Sequence, residues 1–191
     1  MKIALTFDDG PSQWTEAILT HLRNHHAKAT FFVVGASIHR REDTLRHVWE
    51  EGHLIGNHTL THPHLTSLDD AAVLRELSDT QELIAEVTGH PPKWWRAPHL
   101  DLDDRVEALA RTLGLTHVGC TIDPADWAEP DAERIARVVL DRVEDGAIID
   151  LHDGVPPGGG SGTRDRTPTV DAVEVILTRL DTEFVTVDAL L

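Results

Sequence analysis

Short apolar runs alternate with longer amphipathic segments along almost the whole of this 191-residue chain. Apolar runs of about four to eight residues indicate buried strands, and longer segments with helical periodicity indicate helices. This alternation predicts an α/β fold with mainly parallel strands, and about seven repeats of it favour a barrel. The predicted strands cover residues 2–7, 29–34, 54–56, 94–96, 117–122, 147–151 and 184–187. The predicted helices cover residues 15–25, 41–51, 69–88, 103–113, 133–143 and 170–180.

Length and charge limit the classes of function. A chain of 191 residues fits a single domain, here residues 1–191. The formal net charge of −16 disfavours nucleic acid and anionic membranes as partners, because both are negatively charged. The N-terminal segment does not look like a signal peptide, and no window of about 18 apolar residues is present. We therefore expect a cytoplasmic monomer, or a secreted protein where a leader has been removed.

A pair of adjacent carboxylates, Asp8 and Asp9, follows the first predicted strand and precedes Gly10 and Pro11. Asp, Gly and Pro favour turns, so the pair is also consistent with a simple turn. If one carboxylate binds a cation, the pKa of the other is lowered by the metal charge. That would suit a general base that works near neutral pH.

Two histidines four residues apart, His58 and His62, follow the third predicted strand, and Pro63 prevents a long helix after them. On a single turn, such a spacing lets two imidazoles bind one metal ion. Two imidazoles and one carboxylate leave coordination positions open, which is typical of a catalytic site. One divalent ion is expected; Zn²⁺ is the default, and Co, Ni, Mn or Fe would accept the same ligands.

Three further polar clusters also follow predicted strands, where the loops of an α/β barrel build its active site. They comprise residues 96–99, 123–127 and 150–154. Taken singly, each has an ordinary explanation as a surface ion pair, a turn or a locally hydrogen-bonded histidine. The Gly/Pro-rich stretch 154–162 is predicted to be a mobile surface loop, or a lid beside the last cluster.

Read in order, five short motifs of the chain resemble those of the polysaccharide deacetylase family, also called the NodB homology domain or carbohydrate esterase family 4. The motifs are TFDDGP at 6–11, HTLTHP at 58–63, RAP at 96–98, DPADW at 123–127 and LHD at 151–153. The resemblance spans nearly the whole chain. It implies a distorted (β/α) barrel of about seven strands and a metal-dependent hydrolase that removes an N-acyl group from an amino sugar.

The resemblance also assigns roles to the reacting groups. It implies that Asp8 is the general base and His152 the general acid. Arg96 would orient Asp8, and Asp126 would hold the imidazole of His152. The metal ligands would be Asp9, His58 and His62.

Other residues are expected at the edge of this machinery. Asp123 would give His152 a second support, and Trp127 would form a wall of the pocket. The backbone N–H of His99 would help to stabilise the oxyanion. The substrate-binding residues are expected to be Trp127, His99, Asp150 and Leu151.

Three positions depart from the family pattern: His99 replaces a common aromatic residue, Leu100 a common Gly, and Asp150 a residue that is usually Leu. Side chains two apart on a strand share a face, so Asp150 should face the site if His152 does. One hypothesis is that Asp150 binds a polar or cationic part of the substrate, or an Arg or His beside it. The alternative is that Asp150 pairs internally and leaves specificity unchanged.

Three functions remain open from the sequence. The first is hydrolysis of the N-acyl amide of an amino sugar, an oligosaccharide or a small amino-sugar metabolite. The second is a deformylase, an O-acetyl esterase or a cyclic-amide hydrolase on the same fold. The third is an inactive carbohydrate-binding module, which would have no need of a base, an acid and a metal together.

Overall fold

A parallel sheet of seven strands forms the centre of the molecule in the computed structural model, which describes residues 1–159 and 162–191. Six strands lie in the order β5-β4-β3-β2-β1-β6, and β7 pairs with the start of β1. The strands are β1 (Lys2–Asp8), β2 (Ala29–Val33), β3 (Leu54–Asn57), β4 (Trp94–Trp95), β5 (Thr116–His117), β6 (Ile148–His152) and β7 (Glu183–Phe184). The helices are α1 (Thr15–Asn24), α2 (Gly35–Ile38), α3 (Glu42–Glu50), α4 (Asp70–Thr88), α5 (Asp104–Thr112), α6 (Ala132–Arg142) and α7 (Thr167–Arg179).

This architecture confirms the predicted distorted (β/α) barrel in a single domain. Helices follow most of the strands because each parallel connection has to cross back to the same end of the sheet. The longest helix, α4, begins at the N-cap Asp69, whose carboxylate accepts a hydrogen bond from Ala72 N–H at 2.7 Å. It ends at Gly89, whose φ of 79° is readily adopted only by glycine. None of the described helices is long and apolar enough to cross a membrane.

The two faces of the central strands carry different chemistry. Ile149 and Leu151 of β6 are fully buried in the main apolar core, which also contains residues of the helices. Asp150 and His152 alternate with them and therefore face the other way, as the period of a strand requires. The register pairs Thr6 with Asp150 and Asp8 with His152, so the polar residues lie in two successive layers.

Several boundaries differ from the prediction. The strand expected at 117–122 ends at His117, because the carbonyl oxygens of Val118 and Gly119 accept hydrogen bonds from the side chain of Arg96. Beyond that point Ile122 forms an isolated bridge to Ile149.

The chain ends also differ from expectation. The strand expected at 184–187 is shorter, and a 3-10 turn at Val187–Ala189 follows it. Helix α7 begins at Thr167, with a proline in its first turn. The short helix α2 was not predicted. Of the loop predicted at 154–162, residues 160 and 161 lie outside the described residues.

Candidate active site

A cavity of about 280 Å³ lies where the carboxyl ends of β1, β3, β4 and β6 meet. Its lining brings together residues from all five predicted motifs. The lining residues are Asp8, Asp9, His58, His62, Ala97, His99, Leu100, Asp123, Trp127, Asp150, His152, Pro156 and Arg166. Residues that are far apart in the sequence thus share one pocket, as expected for the loops of an α/β barrel.

Three of the lining residues form a group that could hold a metal ion. Donor atoms of Asp9, His58 and His62 all lie within 4.8 Å of one another. The Nε2 atoms of His58 and His62 lie 3.7 and 3.3 Å from Asp9 Oδ1. His58 Nδ1 lies 2.9 Å from the carbonyl oxygen of Arg96, so Nδ1 carries the proton and Nε2 offers a lone pair.

The protonation of this group suits a cation. Burial lowers the pKa of His58 to about 3 and that of His62 to about 2, so both imidazoles are neutral at physiological pH. Burial also raises the pKa of Asp9 to about 7. Asp9 Oδ1 is buried and accepts no hydrogen bond from any described residue. Two neutral imidazoles and a buried oxygen without a donor fit a divalent metal ion, whose charge would restore the carboxylate.

The loops that carry these ligands are held by local hydrogen bonds. Asn57 Oδ1 accepts the N–H of Thr59 at 2.8 Å, and Thr59 Oγ1 accepts the N–H of His62 at 3.1 Å. Asp9, Thr59 and His62 have φ values of 75°, 67° and 64°. Non-glycine residues adopt this left-handed region at a cost, and such residues concentrate at functional sites.

The guanidinium of Arg96 lies under the carboxylates and is fully buried. Its Nη1 lies 2.9 Å from Asp8 Oδ1, 2.9 Å from Asp150 Oδ1 and 2.8 Å from Thr6 Oγ1. Burial and the nearby Asp8 raise the pKa of Asp150 to about 7, against the attraction of Arg96. Burial likewise raises the pKa of Asp8, while Arg96 and His152 lower it. Asp150 therefore pairs with an arginine, and it still lines the cavity.

A histidine that lines the cavity and a buried carboxylate form a second pair. His152 Nδ1 lies 2.8 Å from Asp126 Oδ1, and the N–H of His152 donates to Asp126 Oδ2 at 2.8 Å. The hydroxyl of Thr169 donates to the same Oδ2 at 2.7 Å. Burial by itself would lower the pKa of His152, but the charge and the hydrogen bond of Asp126 raise it well above its usual value. Asp126 thus favours the protonated form of the imidazole, with Nε2 left for the cavity.

Two predicted residues have contacts that differ from the expectation. Leu151 was expected to contact the substrate, but it is fully buried in the main core, because it alternates with Asp150 and His152 along β6. Asp123 lines the cavity, but its carboxylate accepts the N–H of Ala125 at 2.6 Å. Among the described contacts of His152, the supporting carboxylate is that of Asp126.

The side chain of His99 lies between two other histidines at the rim. Its ring centroid is 4.1 Å from that of His64 in a stacked arrangement and 4.5 Å from that of His62 in an edge-on one. Its φ of 57° is again in the left-handed region. Both His99 and Trp127 line the cavity, where contact with a substrate was expected.

Two buried charged residues of the site were missed in the sequence. Arg166 lines the cavity, and its Nε and Nη1 donate to the carbonyl oxygens of Gly154 and Thr163 at 2.8 and 2.7 Å. Asp153 accepts a hydrogen bond from the Thr15 hydroxyl at 2.5 Å, and its pKa is raised by burial to about 7. The position of Asp153 directly after the motif histidine was a usable signal. Nothing in the sequence singles out Arg166.

Replacement of Gly154 by Ala is expected to disturb the metal-ligand loop. A Cβ atom at this position would lie 2.2 Å from the carbonyl oxygen of Asp9, so the backbone that carries Asp9 would have to move. We expect at least about a tenfold loss of affinity for a divalent cation, measured by isothermal titration calorimetry, because ligand geometry tolerates little displacement. Gly119→Ala is the matched control, since its Cβ would meet nothing within 4 Å. Equal affinities of the two variants would contradict this expectation.

Known proteins resemble this chain in sequence and in overall fold. A family model for polysaccharide deacetylases matches residues 1–118. A chitooligosaccharide deacetylase from Rhizobium leguminosarum bv. trifolii is 38% identical over 192 aligned positions, which cover 94% of this chain and 85% of the relative. A peptidoglycan-N-acetylglucosamine deacetylase from Listeria monocytogenes is 34% identical, over 99% of this chain and 38% of the relative. The structure of the peptidoglycan deacetylase PdaC from Bacillus subtilis matches with a TM-score of 0.87 and 32% identity, over 98% of this chain and 88% of that one.

Proposed function

Because this chain belongs to the polysaccharide deacetylase family, we propose that it is a metal-dependent hydrolase that removes the N-acyl group of an amino sugar. Its substrate would be an amino sugar, an oligosaccharide or a small amino-sugar metabolite. The names of the relatives, which act on chitooligosaccharide and on peptidoglycan N-acetylglucosamine, support this substrate class. The observation that carries the proposal is one cavity lined by a candidate metal group, a carboxylate bonded to arginine and a histidine bonded to a carboxylate.

Asp9, His58 and His62 would hold the cation, for which Zn²⁺ is the default and Co, Ni, Mn and Fe are alternatives. A bound cation would polarise the acyl carbonyl and lower the pKa of water in the cavity to about 7. Asp9 Oδ1 is buried and accepts no hydrogen bond from any described residue, which supports this assignment. The catalytic domain would comprise residues 1–191.

Asp8 is the proposed general base. Arg96 donates to Asp8 Oδ1 at 2.9 Å, while Asp8 Oδ2 lies 3.5 Å from Nε2 of the metal-ligand candidate His58. The first contact fixes the carboxylate, and the second places its free oxygen beside the group that would bind the cation. Asp8 would therefore accept the proton of the attacking water.

His152 is the proposed general acid. An amide nitrogen leaves poorly unless it departs as a neutral amine, so a proton has to reach it as the bond to the acyl carbon breaks. Asp126 holds the Nδ1 side of the ring and leaves Nε2 to donate that proton. The backbone N–H of His99 would stabilise the oxyanion, and Trp127 would form the wall of the pocket.

Release of acid from acylated substrates tests the proposal. We expect the zinc-loaded protein to release acid from at least one N-acylated chitooligosaccharide, to lose this activity with a chelator and to regain it with added Zn²⁺. Release from O-acetyl esters alone would favour the esterase alternative. No release from any N- or O-acylated compound would contradict the proposal and favour a carbohydrate-binding module.

Replacement of Asp126 by Asn is expected to move the alkaline limb of the pH profile. A general acid works only while it is protonated, so kcat/KM falls as the pH rises through the pKa of His152. Asp126 raises this pKa against the effect of burial, and removal of its charge lowers it. The limb should therefore shift to lower pH, with at least about a tenfold loss of kcat/KM on the alkaline side. A profile of unchanged shape would contradict the role given to His152.

A further inference from the structure

Asp150 lies at the deep end of the cavity. The register pairs it with Thr6, one layer below the pair formed by Asp8 and His152. Two residues along a strand correspond to about 6.6 Å, so Asp150 lies farther from the mouth than His152 by at most about that length. The side chain of Asp150 is 9% exposed and that of His152 16%. A sugar has to extend out of the mouth, whereas its acyl group is a chain end, so the acyl group is the part that reaches Asp150.

Only one oxygen of this carboxylate is engaged. Asp150 Oδ1 accepts a hydrogen bond from Arg96, whereas no described residue donates to Oδ2. Arg96 cannot turn toward a ligand, because its Nε and Nη2 donate to the carbonyl oxygens of Val118 and Gly119. A methyl group that closes over Oδ2 would remove this oxygen from water without giving it a donor, which is unfavourable.

From this geometry we infer that the cavity selects an acyl group with its own neutral hydrogen-bond donor. The smallest such group is glycolyl, the hydroxyacetyl group, whose hydroxyl would donate to Asp150 Oδ2. A cationic acyl group would meet the guanidinium of Arg96, which lies 2.9 Å from the other oxygen of Asp150. An anionic one would meet the carboxylates of Asp8 and Asp150. The inference rests on the proposed function and names the acyl group on which that function acts.

The test compares two chitotetraoses that differ only in N-acetyl or N-glycolyl substitution. For the wild-type protein we expect kcat/KM to favour the glycolyl substrate by about 10- to 100-fold. This is the usual difference between a buried polar group that has a hydrogen-bond partner and one that lacks it. Asp150→Leu should reverse the preference. Asp150→Asn, which keeps an acceptor and the bond to Arg96, should retain part of it, and it serves as the variant least expected to disturb folding. The inference is overturned if the wild-type protein does not prefer glycolyl, or if its preference persists unchanged in Asp150→Leu.

A binding measurement separates this inference from the proposed reaction. Dissociation constants of both tetrasaccharides can be measured by calorimetry for the Asp8→Asn protein and for Asp8→Asn/Asp150→Leu, with no need for turnover. One outcome would support the inference and contradict the proposed reaction: the Asp8→Asn protein binds the glycolyl tetrasaccharide more tightly, Asp8→Asn/Asp150→Leu does not, and the wild-type protein hydrolyses neither tetrasaccharide. If the wild-type protein hydrolyses the amides while both variants bind the two tetrasaccharides equally, the proposed reaction is supported and the inference is contradicted.

Discussion

The Asp8→Asn variant is expected to lose about 10²- to 10⁴-fold in kcat and to keep its affinity for the cation, whereas Asp9→Asn is expected to lose the cation itself. The two variants make the same chemical change at adjacent positions. Asn at position 8 can still accept the hydrogen bond of Arg96, so the local structure is preserved while the proton acceptor is lost. Asp9 is instead the candidate metal ligand, because its Oδ1 lies near Nε2 of both His58 and His62.

The measurement is a pair of values for each variant: kcat with saturating Zn²⁺, and the dissociation constant of Zn²⁺ from calorimetry. Excess Zn²⁺ should restore activity in part to Asp9→Asn and not at all to Asp8→Asn. If Asp8→Asn instead loses the metal and Asp9→Asn retains it, the assignment of base and ligand is reversed. If both variants keep full activity, neither residue belongs to the reaction.

His152→Asn is expected to lose about 10²- to 10⁴-fold in kcat on amides and far less on an activated aryl ester. An amide nitrogen needs a proton in order to leave, whereas a nitrophenolate leaves readily as an anion. The ratio of the two rates therefore reports whether His152 protonates the leaving group. A general collapse of the site would lower both rates alike.

The matched control for this variant is His47→Asn. His47 pairs with Glu16 at 2.9 Å on the exposed surface, and its side chain is 52% exposed. We expect this control to keep both activities. Equal losses on amide and ester in His152→Asn, with a normally folded protein by circular dichroism, would contradict the acid role and indicate that His152 stabilises the oxyanion or binds the acyl group.

Much of the fold could be predicted because local signals agree with the tertiary structure. The strands β1, β2 and β6 are short, mainly apolar segments that are buried on both faces of the sheet, and α4 carries its own N-cap and a terminating glycine. Most of the predicted active-site residues line one cavity for a topological reason, since the loops that leave parallel strands all emerge at the same end.

The remaining differences depend on contacts that a local pattern does not contain. β5 stops at His117 because the side chain of Arg96, directly after β4, takes the carbonyl oxygens that a longer ladder would have used. Arg166 reaches the cavity only because the segment before α7 folds back over Gly154. The burial of Leu151, by contrast, could have been predicted from the sequence. Alternate residues of a strand share a face, so if Asp150 and His152 face the cavity, Leu151 faces the core.

The side chain of Arg96 connects the stability of the barrel to the reaction in its cavity. Its planar group has five N–H bonds, and it joins β1, β6 and the chain beyond β5 through Asp8, Asp150 and the carbonyl oxygens after His117. Apolar residues of similar volume often replace a buried ion pair without loss of stability, but here they would also release Asp8. Heat tolerance and turnover therefore cannot be engineered independently at this position. Stabilising substitutions are better sought in the outer helices, where they leave the contacts of the general base Asp8 unchanged.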